Sequence, residues 1–117
     1  MLFTRRATIT VKLFDLHCDT LFRALEENKS LSSNDFHISI NRGLNYSNWI
    51  QCFAVFIPDE YRNEDALDLF VRAKKKLDLE IEKNSKTLSL CKNKKDLEEN
   101  NFTCKAILTV EGGAVLA

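Results

Sequence analysis

The sequence predicts an α/β fold in which parallel strands alternate with helices. Three short apolar runs, around Leu13–Thr20, Gln51–Ile57 and Lys105–Val110, have strand length and strand composition. Between the second and third, Ala66, Phe70, Ala73, Leu77 and Ile81 recur at spacings of four, three, four and four, one stripe of an amphipathic helix. Strands separated by helices pair in parallel through right-handed crossovers. The second run is apolar without alternation, as in a strand covered on both faces.

The elements follow in order. Residues 1–10 carry Arg5 and Arg6 but no apolar run of a secretory signal, and read as an extension ahead of the motif-bearing domain, residues 11–117. The first strand runs through Leu13-Phe14-Asp15-Leu16-His17-Cys18-Asp19-Thr20. Strand side chains alternate, so Asp15, His17 and Asp19 are expected on one face and Phe14, Leu16 and Cys18 on the other, against helices. Leu21–Glu27 reads as a short helix with Leu21, Phe22 and Leu25 inward, and polar Asn28–Asp35 as a loop. Phe36, Ile38 and Ile40 alternate with His37, Ser39 and Asn41 and predict a small strand with His37 in solvent, ended by an Asn41-Arg42-Gly43 turn.

Trp49 is expected to pack in the core or at the sheet rim, and Pro58 stops the second strand. Asn63 is placed to cap the long helix, with Glu64 and Asp65 in its first turn complementing the dipole. Lys74-Lys75-Lys76 falls mostly off the apolar stripe and reads as its solvated face. Asn84–Lys86 closes that helix, Thr87–Cys91 is a short extended segment, and Asn93 caps a last helix through Glu99. Asn100-Asn101 turns into the third strand.

Composition bounds the function. Seventeen basic residues balance seventeen acidic ones, leaving no field to attract nucleic acid or an anionic membrane surface. No stretch approaches the roughly 20 apolar residues of a membrane span. Cys18, Cys52, Cys91 and Cys104 are spaced by 34, 39 and 13 positions without a Cys-x-x-Cys, and read as buried free thiols in a reducing cytoplasm. Cys18, expected on the face opposite its neighbours, is not counted as a ligand.

Two stretches carry chemistry. Imidazole and carboxylate are both ligands for zinc-type cations, and His17 and Asp19 stand two residues apart at a strand end. Lys105–Val110 ends in Glu111, followed by Gly112 and Gly113, where the chain turns and passes close to a bound group. Catalytic residues of barrel enzymes sit where strands end and loops begin. With Asp15-x-His17-x-Asp19 as a first-strand motif and Glu111-Gly112-Gly113 as a third-strand motif, the chain from about Val11 to its last residue resembles the membrane dipeptidases, also called renal dipeptidase-like peptidases.

That resemblance implies an incomplete TIM-type (β/α)8 barrel. A full barrel takes about 250 residues, so the 117 here would be its N-terminal portion with three barrel strands. It implies two Zn2+ per complete site, with His17, Asp19 and Glu111 as metal ligands and Glu111 as the bridging carboxylate. Asp15, on the same strand face, is expected to orient His17 or to line the barrel. Paired metals lower the pKa of a bridging water and polarise the scissile carbonyl. The expected substrate is a dipeptide and the expected compartment the cytoplasm, with self-association left open. The family's remaining ligands, histidines on later strands, and a further catalytic aspartate are not in this chain. Leu16, Cys18 and Ala114 depart from the family's commoner residues without removing a ligand. Two alternatives stand beside the enzyme. One is an inactive fragment that acts only by assembling with another chain. The other is a metal-free binding domain, which would leave Asp15, His17 and Asp19 scattered away from Glu111.

Overall fold

The structure is a computed structural model that describes residues 9–99 and 103–116. Its elements run β1 (Ile9–Asp15), α1 (Thr20–Glu27), a 3₁₀ turn (Ile40–Gly43), β2 (Tyr46–Phe56), α2 (Glu64–Lys83), β3 (Leu88–Leu90), α3 (Lys94–Glu98), β4 (Cys104–Glu111) and a second 3₁₀ turn (Ala114–Leu116). The chain is thus α/β, with one four-stranded sheet ordered β1-β2-β4-β3 and every pairing parallel. The expected neighbours β1, β2 and β4 lie side by side. Thr87–Cys91, expected only as extended chain, supplies β3 on the outer edge of β4.

β2 is the central strand. Cys52, Phe53, Ala54 and Val55 are all buried, as its unbroken hydrophobicity requires. Trp49, Phe53 and Val55 share one face and form the core with Leu21 and Ala24 of α1, Ala66, Leu69, Ala73 and Leu77 of α2, and Cys104 and Ala106 of β4. Both longer helices therefore cover the same side of the sheet. Trp49 packs in this core, as expected.

The buried stripe of α2 is Ala66, Leu69, Ala73, Leu77 and Glu80, with Phe70 and Ile81 on its flank. The sequence pattern passed over Glu80 because it is charged. Its carboxylate accepts the Leu31 N–H and lies 3.6 Å from the Lys76 ammonium and 3.9 Å from that of Lys83. A buried carboxylate needs such partners. Here it ties the loop after α1 to α2. Asn63 occupies the N-cap position of α2 but its side chain makes no capping bond; its φ is 54°. Asn93 does cap α3, accepting the Asp96 N–H at 2.9 Å.

Two expectations are corrected. The first strand stops at Asp15, so strict alternation ends there and Leu16–Asp19 is a loop. Within β1 Phe14 takes the face opposite Leu13 and the core and is 51% exposed; beyond the strand Leu16 is 74% exposed, while Cys18 enters the core. Phe14 and Leu16 are therefore not packed against helices. Nor is there a strand over Phe36–Ile40. The backbone bonds of this stretch go elsewhere: the Ile40 N–H to Leu31 O at 2.9 Å, the Asn41 N–H to Ser32 O at 2.9 Å. Arg42 donates to the carbonyls of Asn34 and Phe36. The alternating apolar residues are anchors of an irregular loop, with Phe36 and Ile40 buried and His37 exposed.

Asn41–Gly43 lies in the first 3₁₀ turn, and Gly43 is there for space. A Cβ on it would stand 2.1 Å from the Trp49 ring. The turn at Asn100-Asn101 and residues 1–8 of the N-terminal extension lie outside the described residues; β1 begins at Ile9.

Candidate metal centre

β1 and β4 flank β2, and neighbouring strands lie about 4.8 Å apart, so groups from their ends start roughly 10 Å from one another. His17 and Glu111 nevertheless meet over the C-terminal end of β2. His17 Nε2 lies 3.3 Å from an Asp19 carboxylate oxygen and 3.8 Å from a Glu111 carboxylate oxygen. One ligand atom from each of the three falls within 4.8 Å of the others. All three side chains are about half exposed, at 50%, 59% and 51%.

Local structure explains each position. Glu111 is the last residue of β4, in register with Phe56, the last of β2. Gly112 follows at φ 81°, a conformation that favours glycine, and carries the chain away from the carboxylate. His17 lies in a loop pinned at the two residues that follow it. The Cys18 carbonyl accepts the Ala54 N–H of β2 at 3.0 Å, and the Asp19 carbonyl accepts the Arg23 N–H of α1 at 3.0 Å. Asp19 is the N-cap of α1, yet its side chain makes no capping bond. Its carboxylate stands beside the imidazole instead.

Asp15 does not join the cluster. It faces Gln51 across the β1–β2 register, and one oxygen accepts the Gln51 amide N–H at 2.7 Å. The other accepts the backbone N–H of His17 at 3.4 Å. Asp15 therefore reaches the site through the backbone of His17, not by sharing a face with its imidazole. Gln51 itself went unnoticed in the sequence. Its signal was there: a polar side chain among the apolar residues 49–56 of β2. Cys18 is buried in the core, and burial pushes its thiol up to about 11, so it remains a protonated thiol. All four cysteines are free and buried.

The cluster suits a divalent cation of the zinc type. With bonds of about 2.0–2.2 Å, two ligands of one tetrahedral zinc lie roughly 3.4 Å apart. The 3.3 and 3.8 Å separations are near that value. One imidazole nitrogen and two carboxylate oxygens are an ordinary zinc donor set. Beside Glu111 a cleft of about 350 Å³ opens between Phe56, Ile57, Arg62 and Ala114. No helix among the described residues is long and apolar enough to cross a membrane.

A parallel α/β sheet with a His/Asp/Glu cluster at the C-terminal ends of its strands defines the class: an α/β protein with its candidate chemistry at the strand ends. The family model for membrane dipeptidases, peptidase family M19, matches residues 2–117, and the chain belongs to that family of metallopeptidases. No individual curated protein matches it.

Proposed function

We propose that the chain is the N-terminal portion of a two-zinc dipeptidase built on a TIM-type barrel. The observation that carries this reading is the convergence of His17, Asp19 and Glu111 from two strands separated by a third. Adjacency along the chain explains the His17–Asp19 pair but not Glu111. The sheet supports the barrel part of the reading, since β1, β2 and β4 are parallel consecutive strands with α1 and α2 on one side. Among the described residues, the outer edge of β1 and residues 107–111 of β4 have a strand on one side only.

In this reading His17, Asp19 and Glu111 would be this chain's share of the residues holding the two cations. Bound zinc supplies Lewis acidity and a nucleophile at neutral pH. His17 would contribute an imidazole nitrogen, and the two carboxylates would offset the cationic charge. The cleft beside Glu111 is of a size that takes a small substrate, such as a dipeptide. The test is a Co2+ titration of the chain followed by visible absorption, repeated on His17→Ala and Glu111→Gln. Binding lost in both variants is expected. Equal binding in the wild type and both variants would remove these residues from the site.

A second reading rests on the one-sided strands. The chain would be inactive alone and act only after pairing those edges with another chain, a second copy included.

A further inference from the structure

We propose that Gln51 is a positioning residue for the His17 arm of the centre, acting through Asp15. The inference rests on the metal-centre reading above. Gln51 is completely buried, although its strand neighbours Cys52, Phe53, Ala54 and Val55 are apolar. A buried primary amide is costly unless its polar atoms are bonded. Those of Gln51 are. Its carbonyl oxygen accepts the Trp49 indole N–H at 3.0 Å, and its nitrogen donates to Asp15 at 2.7 Å and to the Cys52 carbonyl at 3.2 Å.

The direction of this chain is fixed chemically. An indole N–H only donates, so the amide atom facing it must be the oxygen. The amide nitrogen then has to face Asp15, which as a carboxylate only accepts. That bond is charge-assisted and so among the stronger kind. It holds the Asp15 carboxylate with its second oxygen toward the His17 backbone N–H. Of the bonds that pin Leu16–Asp19, this is the one made to the N–H of the ligand residue itself, and a side chain provides it. Trp49 is in turn locked against Gly43, where no side chain intervenes. A run of contacts from Gly43 through Trp49, Gln51 and Asp15 thus ends at the residue that presents the imidazole.

The test uses the full chain in four forms: wild type, His17→Ala, Gln51→Leu and, as a core variant on α2 outside the Trp49–Gln51–Asp15 contacts, Leu77→Ala. Co2+ affinity is read by visible absorption, and the His17 amide by a 1H–15N spectrum of the metal-free protein. Gln51→Leu is expected to weaken Co2+ binding about 10–100-fold, the usual effect of removing a group that orients a ligand. It should also move the His17 amide resonance, while Leu77→Ala, though less stable, does neither. Binding within about twofold of wild type in Gln51→Leu, with the His17 amide unmoved, overturns the inference. So does an equal loss in Leu77→Ala. Should Gln51→Leu fail to fold, Gln51→Glu keeps the acceptor for the indole and sets a carboxylate against Asp15. The same loss is expected, and unchanged affinity again overturns the inference. If wild type and His17→Ala bind Co2+ alike, the metal-centre reading itself fails and takes this inference with it. Binding that His17→Ala abolishes and Gln51→Leu retains sinks the inference alone.

Discussion

Asp19 stands where an aspartate ordinarily caps a helix, yet its carboxylate accepts no N–H of α1 and lies 3.3 Å from His17 instead. That choice separates two roles by experiment. A capping aspartate replaced by alanine costs about 0.5–2 kcal/mol. Asp19→Ala is therefore expected to leave stability within about 0.5 kcal/mol in chemical denaturation, and to weaken Co2+ binding at least tenfold. A full capping loss with unchanged metal affinity would return Asp19 to the helix. Cys104 gives a pH test. Burial raises its thiol above the ordinary value of 9.0, with Cys18 nearby adding to the rise. The folded state keeps that proton while the unfolded chain loses it, so its contribution to stability is full below about pH 9 and falls as pH rises further. Comparing denaturation at pH 7 and pH 10, Cys104→Ala should show a smaller drop than wild type, although it begins less stable. At this scale the grouping of His17, Asp19 and Glu111 was legible because each stands where an apolar run ends, within the Asp-x-His-x-Asp and Glu-Gly-Gly patterns. Asp15 was misplaced because its neighbours were read as continuing a strand that ends on it.

Elements were legible where one period ran unbroken. α2 spans Glu64–Lys83 and β2 ends at Phe56, close to where apolar spacing and Pro58 place them. Phe36–Ile40 was misread because two-residue alternation marks inward anchors of a loop as readily as a strand. What decides the matter is loop bonding with Leu31, Ser32 and Arg42, which two-residue spacing does not encode. Gly43 was read as a turn former for the same reason; its real constraint is the indole lying across it. Gly43→Ala drives a Cβ to 2.1 Å from a ring that Gln51 holds in place, so neither neighbour yields easily. Overpacking of this kind costs about 1–3 kcal/mol. The loss should appear in chemical denaturation, with a change in tryptophan fluorescence because Trp49 is the sole tryptophan. A variant as stable as wild type with unchanged emission would mean the ring is free to move.

At the scale of the whole molecule, strand order was the legible part, since helix-separated apolar strands leave few topologies. The pairing of β3 was not, because three residues carry too little pattern to announce a strand. The arrangement leads to the last prediction: the 117-residue chain alone hydrolyses no dipeptide measurably, although its family is one of peptidases. In the proposed centre His17, Asp19 and Glu111 would hold one cation, and among the described residues no further His, Cys, Asp or Glu joins their cluster to hold another. Hydrolysis by a two-metal clamp needs both cations held together. The three side chains are also about half exposed, which leaves their mutual electrostatics screened by solvent. Displacing a reacting group by near 1 Å costs about a hundredfold in rate. The assay is dipeptide hydrolysis by the purified chain with added zinc, run beside His17→Ala over a range of protein concentrations. No turnover in either is the expected result. Zinc-dependent turnover that His17→Ala abolishes would refute the prediction, and a steep rise with protein concentration would locate the missing ligands on a second copy of the chain.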